Sequence, residues 1–226
     1  MCRYSPSHIA AAIDLACLKP EASSVDVSVC CQKAIRHSCA SVCIKPYHVP
    51  IAARLLEGYE TKVGTVIGFP HGSSPILVKA CEIYSTLCMG AQEIDMVLNI
   101  GALKDGDWGT VFKEIDLATK ICHGEKTLLK VILETCYLKD SEIAYACECA
   151  VRAKADFVKT STGYGTVGAT PEAVKLMVKA VGDKCQVKAS GGIKTYDDAE
   201  LYLDLGCTRL GSSRVEELMP YYVEEI

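Results

Sequence analysis

The chain has 226 residues, of which 50% are hydrophobic and 23% are charged, as is typical of a globular protein with a sizeable core. Its net charge of -4 and the absence of a basic run argue against a nucleic-acid partner. No apolar stretch approaches the roughly 18 residues that span a bilayer, and the first residues do not resemble a signal peptide. We therefore expect a cytoplasmic protein without a membrane partner.

Eight short apolar segments alternate with helical patterns along the whole chain. Near-continuous apolar runs are typical of parallel strands that are covered on both faces. The predicted strands are residues 12–15, 40–44, 61–68, 93–99, 128–135, 156–161, 186–190 and 208–211. Eight units in 226 residues average about 28 residues each, which suits a (β/α)8 TIM barrel forming a single domain over residues 1–226. An open, doubly wound sheet is the alternative, but no strand ends in G-x-G-x-x-G.

The helical patterns between these strands carry their own boundary signals. The segment Ser73 to Pro75 predicts a capped helix start with a proline in the first turn. The apolar positions that follow at helical spacing are Leu77, Ala80, Cys81, Tyr84, Leu87 and Cys88, and Gly90 ends the helix. Thr170 and Pro171 open a second helix, and Asp140 is predicted to cap a third.

The fourteen cysteines are numerous for a chain of this length. A disulfide framework is typical of small secreted domains, whereas this chain has its own apolar core and no export signal. No two cysteines are three positions apart, so C-x-x-C redox and zinc patterns are absent. We expect reduced and mostly buried thiols.

A lysine inside the sixth predicted strand is the first candidate for chemistry. Lys159 follows apolar residues and precedes a segment rich in hydroxyl groups. Burying an ammonium group is costly, so such a lysine tends to lose its proton or to find a partner. A desolvated lysine beside a second cation can form a Schiff base with a carbonyl compound. The alternative is an outward-facing lysine whose head reaches water.

Two further charged residues lie in predicted strands. Lys188 is in the seventh strand, so it can face Lys159 if the two strands are neighbours, and repulsion between like charges then makes it easier for one amine to lose its proton. Asp95 in the fourth strand can pair with these lysines and relay protons. A purely structural ion-pair role is the alternative for Asp95.

Period-two alternation puts Lys130 and Glu134 on one face of the fifth strand, which predicts a supporting salt bridge between them. Cys43 in the second strand is predicted to line the pocket. No motif places a histidine beside this thiol, so it is a poor nucleophile.

Glycine-rich turns follow the last two predicted strands. Barrels often bind phosphate there, through backbone N–H groups and the start of a helix. The candidate residues are Gly191, Gly192, Gly211, Ser212, Ser213 and Arg214, ahead of a helix predicted to begin near Val215.

Four motifs, in this order, resemble those of the deoxyribose-phosphate aldolase family: KVGTVIGFP at 62–70, EIDMV at 93–97, KTSTG at 159–163 and VKASGG at 187–192. The resemblance runs from Ile13 to about Ser213. It implies a class I aldolase that reversibly cleaves 2-deoxy-D-ribose 5-phosphate to acetaldehyde and D-glyceraldehyde 3-phosphate, without a metal or other cofactor. The expected partners are thus small phosphosugars and aldehydes. A homodimer is a possible assembly that the sequence does not decide.

The resemblance also implies roles for individual residues. Lys159 would form the Schiff base, Lys188 would be the second lysine that activates it, and Asp95 would take part in proton transfer. Gly163, Gly192 and Ser213 fall where the family holds the substrate phosphate.

Two positions depart from the family pattern. Ala16 replaces the usual threonine, which removes a hydroxyl that could hold the substrate or a water. Arg214 replaces a small residue, and it could either strengthen phosphate binding or point to solvent. Both catalytic lysines and Asp95 are retained, so we expect activity.

Three other functions would use some of the same residues. A pyridoxal-phosphate barrel would need a strand lysine and a phosphate cup, but not Lys188 opposite Lys159. A non-catalytic binding protein would explain Ala16, but not the retained lysines. A phosphosugar isomerase would need a glutamate base and a neutral histidine, and no histidine lies in the predicted core strands.

Overall fold

The structure of the protein, a computed structural model, describes residues 3–219, in which eight parallel strands close into one barrel. The strands are β1 Ile13–Cys17, β2 Ser41–Ile44, β3 Lys62–Ile67, β4 Glu93–Val97, β5 Leu128–Ile132, β6 Phe157–Lys159, β7 Gln186–Ser190 and β8 Arg209–Ser212. The α-helices in this part of the chain are α1 Pro6–Ala12, α2 Ser24–Arg36, α3 Val49–Leu55, α4 Ile76–Cys88, α5 Ile100–Lys104, α6 Trp108–Gly124, α7 Asp140–Arg152, α8 Pro171–Val181 and α9 Tyr196–Asp204. The predicted TIM barrel and all eight predicted strands are confirmed.

The strands pair in chain order, and β8 pairs with β1 to close the barrel. Gly211 is the register partner of Asp14 at this closure. Several strands end earlier than predicted, because residues at their carboxyl ends leave the ladder and form the loops of the barrel mouth. Those loops are where enzymes with this fold place their functional groups.

The hydrophobic core lies between the barrel and the surrounding helices. Outward-facing strand residues such as Ile13, Leu15 and Val158 are at most 2% exposed and pack against the helices. No helix within residues 3–219 is both long enough and apolar enough to cross a membrane.

The start of α8 confirms the predicted helix start at Thr170 and Pro171. Thr170 accepts a hydrogen bond from the backbone N–H of Ala173 at 3.2 Å, and Pro171 is the first helical residue. Two predicted caps are wrong. Pro75 is itself the cap residue of α4 and no side chain caps this helix, while Asp140 is the first residue of α7, one position after its cap.

The predicted apolar face of α4 is also wrong in part. Its buried residues are Lys79, Ala80, Ile83 and Thr86, whereas Leu77 is 70% exposed and Tyr84 is 54% exposed. The reason is a buried ion pair. The ammonium of Lys79 lies 2.7 Å from a carboxylate oxygen of Glu114 on α6 and donates to the carbonyl of Val97 at 2.8 Å. Lys79 therefore lies on the buried face of α4, where the hydrophobic pattern predicted apolar residues.

The helix predicted near Val215 is not present in the described residues. Residues 215–218 form a turn, with the N–H of Leu218 donating to the carbonyl of Arg214 at 3.3 Å. The part of that prediction that extends past residue 219 lies outside the described residues.

Candidate active site

An ionic cluster fills the lumen of the barrel, and Asp95 on β4 is at its centre. One carboxylate oxygen of Asp95 lies 2.8 Å from the ammonium of Lys159 and 2.7 Å from that of Lys188. The other oxygen accepts from Lys130 at 2.9 Å. Three ammonium groups thus share one carboxylate.

The strand register explains this convergence. Lys159 on β6 is the register partner of Lys188 on β7, and Asp95 on β4 is the register partner of Lys130 on β5. Partners in neighbouring parallel strands point to the same face of a sheet. All four side chains point into the lumen, and Lys159 is only 3% exposed. The alternative of an outward-facing Lys159 is therefore wrong.

Asp14 on β1 is the second acid of the cluster, and it is not among the site residues predicted from the sequence. It makes a close ion pair with Lys188 and accepts from the Arg209 guanidinium nitrogen Nε at 2.8 Å. Its sequence signal was the same as that of Asp95, an acid inside an apolar strand.

Lys130 forms a different salt bridge from the one that alternation predicts. Its ammonium lies 2.7 Å from a carboxylate oxygen of Glu93 on β4, and Glu93 also pairs with Arg209 at 2.7 Å. Glu134 lies past the end of β5 in a left-handed conformation with φ 56°, so it no longer shares the inward face. The predicted bridge between Lys130 and Glu134 is wrong because the strand ends at Ile132.

Attraction between opposite charges keeps Asp95, Asp14 and Lys188 ionised. Burial alone would raise the pKa of Asp95, but Lys130, Lys159 and Lys188 outweigh that effect and hold the pKa well below its usual range. The pKa of Asp14 is lowered in the same way, since burial is outweighed by Lys188, Lys130 and Arg209. Burial would lower the pKa of Lys188, yet Asp14 and Asp95 raise it, so this amine keeps its proton.

A cavity of about 800 Å³ opens above the cluster at the carboxyl ends of the strands. It is lined by all but one of the predicted site residues, namely Cys43, Lys159, Gly163, Lys188, Gly191, Gly192, Gly211, Ser212 and Ser213. Asp95, the exception, is fully buried below it. The thiol of Cys43 lies 3.9 Å from an Asp95 oxygen, and burial, followed by the negative charge of Asp95, raises its pKa to about 11. A thiol in this state is almost entirely protonated at neutral pH, which fits a lining role.

The glycine-rich turns form one side of the cavity. Gly191 and Gly192 have φ values of 85° and 84°, and a Cβ on Gly191 would come within 2.8 Å of the Cα of Gly168. These turns therefore require glycine. The Ser212 hydroxyl donates to the carbonyl of Ile193 at 2.8 Å, while Ser213 is exposed.

The two positions that depart from the family pattern also line this cavity. Ala16 presents only a methyl group there. Arg214 is half exposed, and its guanidinium lies 3.6 Å from a carboxylate oxygen of Glu217. Among the described residues 3–219, no group of three or more His, Cys, Asp or Glu side chains is arranged to hold a metal ion.

A closed parallel barrel whose buried amines open into a cavity at the carboxyl ends of its strands has the architecture of a TIM-barrel enzyme that acts on carbonyl compounds. Residues 9–205 match the model of the DeoC/LacD family aldolases. The chain belongs to this family, and it is an aldolase, a carbon–carbon lyase.

Individual relatives agree with this assignment. The deoxyribose-phosphate aldolase of Clostridium perfringens is 49% identical over 205 residues, which cover 91% of each chain. That of Carboxydothermus hydrogenoformans is 48% identical over 217 residues, or 95% of each chain. A tetrameric deoxyribose phosphate aldolase structure from Aeropyrum pernix has a TM-score of 0.90 at 30% identity, covering 98% of this chain and 94% of that one.

Proposed function

We propose that this aldolase reversibly cleaves 2-deoxy-D-ribose 5-phosphate to acetaldehyde and D-glyceraldehyde 3-phosphate through a Schiff base on Lys159. The observation that carries the proposal is the position of the Lys159 amine, which lines the cavity while its nitrogen lies 2.8 Å from Asp95. The names of the relatives described above support the choice of substrate.

The reaction begins when the neutral amine of Lys159 attacks the C1 carbonyl of the open-chain sugar. Loss of water gives a protonated imine. A base removes the proton of the C3 hydroxyl, the bond between C2 and C3 breaks, and its electron pair enters the imine to give an enamine. C3 leaves as the aldehyde of glyceraldehyde 3-phosphate. Protonation of C2 and hydrolysis then release acetaldehyde. The protonated imine is itself the electron sink, so we propose a mechanism without a metal ion.

Lys188 and Asp95 are the proposed partners in this chemistry. Lys188 keeps its proton, because Asp14 and Asp95 raise its pKa. Both amines contact the same Asp95 oxygen, so the proposed role of Lys188 is to act as a neighbouring cation beside the nucleophilic amine of Lys159. Asp95 stays ionised and, together with a water molecule, is placed to move the proton between substrate and lysines.

The phosphate is proposed to bind on the side of the cavity formed by the glycine-containing turns after β6, β7 and β8. The backbone N–H groups around Gly163, Gly191, Gly192 and Gly211, with the serines that follow β8, would form this site. Because the described residues after Arg214 form a turn, these backbone and side-chain donors would hold the anion without a helix dipole.

Borohydride trapping tests the role of Lys159. Reduction in the presence of acetaldehyde should attach one ethyl group, and peptide mapping should find it on Lys159. Lys159→Leu should lose trapping and turnover. Lys120→Leu, which changes a largely exposed lysine on α6, is the matched control and should behave as the wild type. A label on Lys188 would reverse the proposed roles of the two lysines.

The contribution of Arg214 to phosphate binding can be tested by substitution. A charge-assisted contact with phosphate contributes about 1.5–3 kcal/mol, and we expect the lower end because Arg214 is half exposed. Arg214→Ala should then raise the KM for deoxyribose 5-phosphate by about tenfold and leave that for unphosphorylated deoxyribose unaffected. Equal changes for both sugars would show that Arg214 does not contact the phosphate.

We also propose that the enzyme works as a homodimer, since two-fold symmetry is the commonest form of assembly. The Aeropyrum pernix relative is described as a tetramer. Sedimentation equilibrium of the purified protein distinguishes these states.

A further inference from the structure

Glu134 is a buried acid that the proposed reaction does not use. It lies just past the end of β5, its residue is only 2% exposed, and its backbone is left-handed with φ 56°. Within residues 3–219 it forms no salt bridge. A buried carboxylate without a cation needs hydrogen-bond donors, and a left-handed residue other than glycine needs surrounding structure to hold it.

The main donors to this carboxylate come from Thr162, in the loop after β6. Both oxygens of Glu134 accept from the N–H of Thr162 at 3.3 Å, and one also accepts from the Thr162 hydroxyl. The hydroxyl oxygen of Thr162 in turn accepts from the N–H of Tyr164 at 3.0 Å. Glu134 therefore holds the backbone on both sides of Gly163.

The loop also packs closely on Glu134. The N–H groups of its neighbours Leu133 and Thr135 donate to carbonyls at and just past the end of β6, at 2.9 and 3.0 Å. A Cβ on Gly165 would lie only 3.1 Å from the carboxylate carbon of Glu134. The carboxylate and the loop after β6 are thus one packed unit, so removal of the carboxylate should displace the loop.

Gly163, which lies between the two held residues, has a free donor at the cavity above the ionic cluster. It lines that cavity, and no atom from other parts of the chain lies within 4 Å of the position that a Cβ on it would take. Within residues 3–219 its N–H has no acceptor, whereas the N–H groups of Thr162 and Tyr164 are both bonded. A backbone N–H of this kind is available to an anionic ligand.

We propose that Glu134 is a positioning residue for the substrate phosphate, which it serves by holding Thr162 so that the N–H of Gly163 stands at the phosphate site. This inference rests on the proposed function, in which the phosphate binds at the turns after β6, β7 and β8. Glu134 itself does not line the cavity, so it acts through the loop and not by touching the substrate. Binding groups must be held within about 0.5 Å of their productive positions, which is the service that this buried contact supplies.

The preference for a phosphorylated substrate tests the proposal. It is measured as kcat/KM for deoxyribose 5-phosphate divided by kcat/KM for unphosphorylated deoxyribose. Glu134→Ala should lower this ratio about tenfold, mainly through a higher KM for the phosphorylated sugar, which is the effect of losing one charge-assisted hydrogen bond. A role through charge alone predicts the opposite sign, because it removes a negative charge that repels phosphate. An unchanged or higher ratio in Glu134→Ala would therefore overturn the proposal.

The conservative variant separates hydrogen bonding from charge. Glu134→Gln keeps a side-chain oxygen that can accept from the Thr162 N–H, so its ratio should stay near that of the wild type. A loss as large as that of Glu134→Ala would overturn the proposal. Glu114→Gln is the matched control, because it changes a second acid that is 2% exposed but pairs with Lys79 away from the cavity. It should leave the ratio unchanged, whatever its effect on stability.

A double-mutant cycle tests whether Glu134 acts through Thr162. Thr162→Val keeps the shape of the side chain and removes its hydroxyl, so it should also lower the ratio. Its effect should be much smaller in the Glu134→Ala background than in the wild type, since the two residues form one contact. Additive losses would overturn the proposal. Failure of the wild type to cleave deoxyribose 5-phosphate would instead contradict the proposed function, so the two failures are distinguishable.

Discussion

At the scale of single residues, Asp95 has the largest structural consequence. Its carboxylate contacts three buried ammonium groups, those of Lys130, Lys159 and Lys188. Each amine would be costly to bury alone, and their mutual repulsion would add to that cost. Asp95 is the acid that all three lysines share, while Asp14 and Glu93 supply further negative charge to Lys188 and Lys130.

Replacing Asp95 tests this account. Asp95→Asn should lower the free energy of unfolding at pH 7 by about 3–5 kcal/mol, because it removes the carboxylate that pairs with the buried Lys159 ammonium, and it should strongly slow trapping on Lys159. Asp116→Asn changes a half-buried acid that pairs with a largely exposed lysine, and it should cost about 0.5 kcal/mol or less. Urea unfolding of both variants supplies the comparison.

The pH dependence of this difference has a definite sign. The pKa of Asp95 is lower in the folded state than its unfolded value of about 3.9. Its contribution to stability is therefore present above that unfolded value and is lost as the pH falls through the folded pKa. The stability difference between the wild type and Asp95→Asn should shrink below about pH 4. A difference that stays constant between pH 7 and pH 3 would contradict the pairing.

At the scale of elements, α4 shows how a helix can bury a different face from the one that its apolar residues indicate. Lys79 points inward to Glu114, and Ile83 is fully buried on the same side. Leu77 and Tyr84 remain exposed. The helix is positioned by a buried ion pair together with part of its apolar content.

Alanine substitutions on the two faces of α4 measure this orientation. Ile83→Ala should lower the free energy of unfolding by about 2–5 kcal/mol, as truncation in a packed core does. Leu77→Ala should change it by about 0.5 kcal/mol or less, because Leu77 is 70% exposed. Denaturant unfolding gives both values. Similar losses at the two positions would place Leu77 in a packed interface.

At the scale of the whole molecule, the barrel places charge inside and apolar side chains outside. The lumen holds acids, lysines and Arg209, while the layer between strands and helices is hydrophobic and contains many of the thiols. All thirteen cysteines within residues 3–219 are unpaired. We expect these thiols to be reduced in the functional protein.

Thiol titration tests the reduced state. Denatured protein prepared without a reducing agent should show close to 14 free thiols, the number of cysteines in the chain. In the native protein, the exposed Cys81 and Cys88 should react before buried thiols such as Cys147. Cys81→Ser should remove one fast-reacting group. Recovery of two or three stable disulfides would contradict the reduced state.

The sequence alone determined the barrel and most residues of the candidate site. Each strand is marked by its own run of apolar residues and by the loop residues that flank it. The strands could therefore be recognised without knowing which strands pair with each other. Lys159, Lys188 and Asp95 were found because a charged residue inside an apolar strand is costly unless it has a function or a partner.

Only the tertiary structure decided which charges pair. Lys130 was assigned to Glu134 because period-two alternation is a local rule, whereas its real partners Glu93 and Asp95 come from the neighbouring strand. The inward position of Lys79 has the same cause, since its partner Glu114 is 35 positions away in the chain. Coulomb energy and hydrogen bonding depend on distance in space, and chain separation does not fix that distance until the barrel has closed.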